Sequence, residues 1–161
     1  MVSPEVFHNY PFFNFLKPAQ LTNIASIAQE ETYDRGVCIY REREYTDWLY
    51  ILVKGGVDLL FIVEADNPEP KELRFGEVRP GGVFGISALL ESHIHISTAR
   101  ASQPSQVIKI EAAKLLALCN EDEQLAYQLM RQVAKTTTRR LTAARRQLAV
   151  ALSPAKATKT K

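Results

Sequence analysis

The chain has 161 residues, 46% of them hydrophobic and 24% charged, which is enough for one domain with an appended helix and an ordinary apolar core. No apolar run approaches the roughly 18 residues of a membrane span, and the start MVSPEVFHNYPFF lacks the basic opening and long apolar centre of a secretory signal. The net charge of +2 conceals a division: nine of the 20 Lys and Arg residues lie in 131–161, where there is no Asp or Glu, so an acidic body carries a basic C-terminal arm.

Phe12, Phe13, Phe15 and Leu16 form a short apolar anchor. Residues 18–29 then place Leu21, Ile24, Ala25 and Ala28 on one helical face, with Pro18 in the first turn, where a missing N–H costs nothing. From Glu31 the texture changes to strands and glycine turns. Thr32 and Tyr33 lead into a turn at Asp34-Arg35-Gly36, and 37–40 is β-branched and aromatic. A charged loop, REREYTD, separates it from a strand at 48–53, which ends at Lys54-Gly55-Gly56. Strands follow at 57–63 and 72–78, joined by the proline-rich loop 65–70, and then at 94–101 and 106–111. Residues 112–118 read as a short helix. Glu121, Asp122 and Glu123 open a long one, with acids at the positive end of its dipole. Its apolar stripe runs through Leu125, Leu129, Val133, Leu141, Ala144 and Leu148, and Pro154 stops it. The basic, low-complexity tail 153–161 is expected to be disordered.

Between the last two groups of strands lies FGISALLESHIHISTARA, residues 84–101. A glycine, a short apolar helix and a strand have the form of a phosphate cradle, in which backbone N–H groups at a helix start meet an anion. Yet there is no Lys or Arg from Gly85 to Ala99. His93 and His95 would share a face on a strand, but a metal would need a third ligand, and His8 is the only other histidine. No metal site is expected. Nothing resembles an activated nucleophile, so no enzymatic activity is expected. Cys38 and Cys119 make no disulfide framework, and a reducing cytoplasm is the expected setting.

The order of elements resembles the cyclic-nucleotide-binding domain of the catabolite-activator type over roughly 12–148. Arg35-Gly36-Val37, the run Leu49-Tyr50-Ile51-Leu52-Val53-Lys54-Gly55-Gly56-Val57, and Arg79-Pro80-Gly81-Gly82-Val83-Phe84-Gly85 carry the resemblance. Laid on the family's cassette without a gap, Ala88-Leu89-Leu90 and Thr98 match. The resemblance implies an antiparallel β-roll or jelly-roll sandwich (mainly β, α+β) with flanking helices: a domain at 1–152, its β-roll at about 31–111 and its C-terminal helices at 112–152. It also implies ligand contacts at Gly85, Ile86, Ser87, Ala88, His95, Ile96 and Ser97.

Three of these positions depart from the family pattern. A glutamate that holds the ribose hydroxyl is replaced by Ile86, the phosphate-neutralising arginine by His95, and the small polar residue after it by Ile96. An arginine–phosphate pair is bidentate and charge-assisted, whereas an ordinary histidine is mostly neutral at pH 7. Losing the three contacts removes roughly 4–7 kcal/mol, or about 10³- to 10⁵-fold in affinity. Two rescues stand open: a register slip that brings Arg100 into the pocket, against the gap-free match, or a protonated His95.

The expected function is therefore a non-enzymatic regulatory module whose cyclic nucleotide affinity is weakened or lost. It needs no cofactor, though a weakly held cyclic nucleotide or another small ligand remains open, the latter in an apolar pocket lined by Ile86, Leu89 and Ile96. The family resemblance also implies a two-state joint near 118–123. Partners follow from the long helix: a homodimer through Leu125, Leu129, Val133, Leu141, Ala144 and Leu148, or another protein. The rival reading is a nucleic-acid-associated protein that binds through the basic arm, including Arg131, Lys135, Arg139, Arg145 and Arg146.

Overall fold

The computed structural model describes residues 2–63 and 71–153. The expected 65–70 loop, the stop at Pro154 and almost all of the expected disordered tail lie outside them. Eight strands form two four-stranded antiparallel sheets. They are β1 (Ala28–Tyr33), β2 (Cys38–Tyr40), β3 (Trp48–Lys54), β4 (Val57–Val63), β5 (Lys71–Val78), β6 (Val83–Phe84), β7 (Thr98–Ala101) and β8 (Ser105–Glu111). One sheet has the order β1-β8-β3-β6, the other β2-β7-β4-β5. A 3-10 helix at Pro4–Asn9 and helix α1 (Pro18–Ser26) precede them; α2 (Ala112–Glu121) and α3 (Glu123–Leu152) follow.

The centre of the first sheet is buried on both faces, which explains the unbroken apolar run of β3. Successive side chains of a strand point to opposite sides. Leu49 and Ile51 of β3, with Ile108 and Ile110 of β8, pack under the helices against Phe7, Phe13, Leu21, Ile24, Leu115 and Leu129. Tyr50, Leu52 and Val107 point the other way, into a second core between the sheets, where they meet Tyr40, Leu59 and Phe84.

Three expected boundaries move. The short helix expected over 112–118 runs on as α2 to Glu121, so Glu121 ends α2 rather than opening α3. The helix expected over 18–29 stops at Ser26, because Ala28 begins β1 and pairs with Ile110. The strand expected over 94–101 is regular only from Thr98. His93 has a left-handed φ of 44°, which takes the chain out of extended conformation. Residues 93–95 instead trade backbone hydrogen bonds with the charged loop: Arg43 N–H to His95 O at 2.8 Å, His95 N–H to Glu44 O at 2.9 Å, and Thr46 N–H to His93 O at 3.0 Å.

The joint between α2 and α3 is the single extended residue Asp122. Its carboxylate caps α3 by accepting from Leu125 N–H at 3.0 Å, and also accepts from the Gln20 side chain of α1 at 2.6 Å. These two hydrogen bonds hold the carboxyl below its usual pKa. The stripe of α3 changes surroundings along its length. Leu125, Leu129 and Val133 belong to the chain's own helical core, which corrects the expectation that they face a partner helix. Among the described residues, no helix is long and apolar enough to cross a membrane.

Candidate functional site

The cradle is built as the glycine motif requires. Gly85 has φ 72° and ψ 26°, the left-handed region, and a Cβ there would lie 2.8 Å from both the Trp48 carbonyl oxygen and the Tyr50 ring. Only glycine fits. It starts a one-turn 3-10 helix, Ile86–Leu89. Its N–H donates to the Tyr40 hydroxyl at 3.1 Å, so a strand of the opposite sheet fixes the start of the cradle. The Ala88 N–H donates to the Gly85 carbonyl at 3.1 Å and its side chain is fully buried in the helical core. Ala88 is therefore removed from the expected ligand contacts.

A cavity of about 270 Å³ opens beside this turn. Gly85, Ile86, Ser87, His95, Ile96 and Ser97 of the expected set line it, together with Tyr40, Leu59, Phe75 and Leu90. Leu89 does not; it turns into the helical core. Ile96 sits at the rim and is 79% exposed. The roof comes from α3, through Thr137, Arg140, Leu141 and Ala144. A wider groove of about 510 Å³ lies along α3 near Arg79, Gly81 and Gly82 and shares only Arg140 with the cradle cavity.

His95, which stands where the family resemblance implies an arginine, is 4% exposed and lies flat on the Tyr40 ring, the two planes parallel with centroids 3.5 Å apart. Burial pushes its pKa down to about 4, against the weaker pull of Glu44 and Asp47. In the ligand-free cavity it is therefore neutral at pH 7 and supplies no standing cation. Burial likewise pushes the Tyr40 phenol up to about 12, which keeps it a neutral hydroxyl. Arg100 does not supply the charge either. Both of its terminal nitrogens donate to the Glu72 carboxylate at 2.7 Å, and Arg100 stands opposite Asp58 of β4 in the sheet, away from the cavity lining. The register-slip rescue is thereby excluded.

The residue that sequence reasoning missed is Arg140. Its guanidinium donates to the Val83 carbonyl of β6, and burial lowers its pKa below the ordinary arginine value while the neighbouring Tyr40 opposes that shift. Among the described residues no carboxylate pairs with it. A signal was present: Arg140 falls about 60° round the helix from Leu125, inside the arc of the buried stripe. A charged residue on a buried stripe is a candidate for a site.

Among the described residues, no Asp or Glu lines the cavity. The arrangement offers one cation, three hydroxyl-bearing residues (Ser87, Ser97, Thr137), a phenol, a neutral imidazole and a largely aliphatic wall. That combination suits holding a small organic molecule by shape, with one charge contact.

The fold and this cradle have clear relatives. The model of the cyclic nucleotide-binding domain matches residues 30–122, and the chain belongs to that family. A Geobacter metallireducens protein, named as a candidate cyclic nucleotide-binding protein, is 33% identical in sequence with a TM-score of 0.75; the match covers 88% of this chain and 99% of that one. The catabolite activator protein of Thermus thermophilus shares the fold, with a TM-score of 0.67 at 23% identity, over 87% of this chain and 62% of that one. A cyclic nucleotide-gated potassium channel of Mesorhizobium japonicum is 28% identical over 116 residues, 72% of this chain; the chain spans 30% of the channel's length.

Proposed function

We propose that this chain is a non-enzymatic regulatory module of the cyclic nucleotide-binding family that binds cyclic AMP and cyclic GMP weakly. The observation that carries the reading is the neutral, ring-stacked His95 at the position of the phosphate arginine. Ile86, only 7% exposed, supports it by placing aliphatic carbon where the ribose hydroxyl would need an acceptor. Calorimetry with both nucleotides tests it. The expected dissociation constants are weaker than roughly 100 µM, and the Ile86→Glu/His95→Arg variant gains at least about tenfold. Micromolar binding by the wild type would overturn the reading.

The output surface in this proposal is the end of α3, where Leu148, Val150 and Leu152 are exposed. Leu148 and Leu152, one turn apart on the same face, suit a second copy of the chain, while Val150 lies on the opposite face. Leu148→Asp is expected to convert a dimer to a monomer in light scattering; a monomeric wild type removes this part of the proposal. The free cysteines, Cys38 and the buried Cys119, suit a reducing compartment such as the cytoplasm. The nucleic-acid reading has weaker support, because Arg140 of the basic arm is turned inward and Arg131 rests over the Tyr127 ring at 5.6 Å.

A further inference from the structure

The cradle cavity has lost the cation of its own cassette, and one arrives from outside it. Arg140 reaches the cavity from α3, 45 residues along the chain from His95. Among the described residues its one hydrogen bond is to the Val83 carbonyl. A guanidinium has five N–H donors, so one carbonyl leaves most of its capacity unused. A guanidinium in that state, on the wall of a cavity, is set up to take an anion. The rest of the wall is mainly apolar, Leu59, Phe75, Ile86 and Leu141 among it, with hydroxyls on Ser87, Ser97 and Thr137. Among the described residues, no acid lines the cavity to repel an anion or to hold a sugar hydroxyl.

We infer that the cavity is a binding site for a small organic monoanion with an apolar body, a carboxylate or sulfonate on a hydrocarbon or aromatic frame, held by Arg140 of α3. One guanidinium sets the charge at one. The apolar part of the wall sets the body, since a hydrocarbon face packs on Leu59, Phe75 and Ile86, which offer a hydroxyl no partner. The cavity of about 270 Å³ admits a body of two or three fused or linked rings. This inference rests on the weak-nucleotide reading above and names what the same cavity takes instead.

The probe is 8-anilinonaphthalene-1-sulfonate, an aromatic monoanion whose fluorescence rises on leaving water, with uncharged N-phenyl-1-naphthylamine as its neutral counterpart. The full chain is expected to bind the sulfonate saturably, one per chain. Arg140→Met is expected to weaken it roughly 10- to 100-fold and to leave the neutral dye within about twofold. Arg145→Met, an exposed charge on the same helix, removes the same charge and leaves both dyes unchanged. Ala144→Trp, which fills the cavity from its roof, excludes both.

Equal sulfonate affinity in wild type and Arg140→Met overturns the inference, as does the absence of saturable binding. If Arg140→Met loses both dyes, Arg140→Lys and Arg140→Gln decide: the lysine variant must bind the sulfonate more tightly, and equality overturns the inference. Displacement of the sulfonate by micromolar cyclic AMP would sink the weak-nucleotide reading alone, because the Arg140 comparison tests the cation separately.

Discussion

The opening turns of α3 and the turns that follow them present one stripe to two different surroundings. Leu125, Leu129 and Val133 are sealed in the helical core, Leu129 with no exposure at all. Thr137, Arg140, Leu141 and Ala144 roof a cavity instead, and Leu141 is 59% exposed. The same 3.6-residue spacing thus serves packing in one stretch and a ligand chamber in the next. The difference is marked by one residue: where the first stretch has only carbon, the second has a guanidinium.

The comparison makes graded predictions. Leu129→Ala leaves a hole in a closed core and is expected to cost about 2–5 kcal/mol in urea unfolding; a loss below about 1 kcal/mol would show that the first stretch is not sealed. A comparable effect belongs to the cavity floor. An unfolded histidine titrates near 6.5, while His95 in the fold takes its proton near 4. Between those values the unfolded chain binds more protons, so stability falls as pH drops through that window. The contribution is on the order of 3 kcal/mol between pH 7.5 and pH 4. His95→Gln is expected to flatten that part of the pH profile in denaturant titrations, and an unchanged slope would contradict the burial of a neutral ring. The smallest effect is that of Leu141→Ala, about 0.5 kcal/mol or less, since its side chain guards a chamber rather than filling a core. A loss as large as that of Leu129→Ala would erase the contrast between the two stretches.

Much of the sheet was legible because its signals are local. β4 matches the expected 57–63, bounded by Gly55-Gly56 and carried by a nearly unbroken apolar run. The cap at Asp122 was legible as acids ahead of an apolar stripe. β1, AQEETY, was not, because it is mostly solvent-facing at the edge of its sheet and its Ala28 also continues the period of α1. Residues 94–97 were misread because their partners are backbone groups of loop 43–46, which no side-chain pattern records. Within the candidate site, Gly85, Ile86 and His95 were legible from the cassette alone. Arg140 was not, because its place depends on how α3 crosses the sheets, a long-range contact; only its intrusion into an apolar stripe gave it away.

The central claim is that a neutral histidine has taken the place of a permanent cation in the cradle. The imidazole proton resonances of His95, followed by nuclear magnetic resonance as pH is lowered, test it most directly. A midpoint near 4 is predicted. A midpoint at 6.5 or above would mean that His95 carries charge near neutral pH and that the cradle has kept a cation of its own.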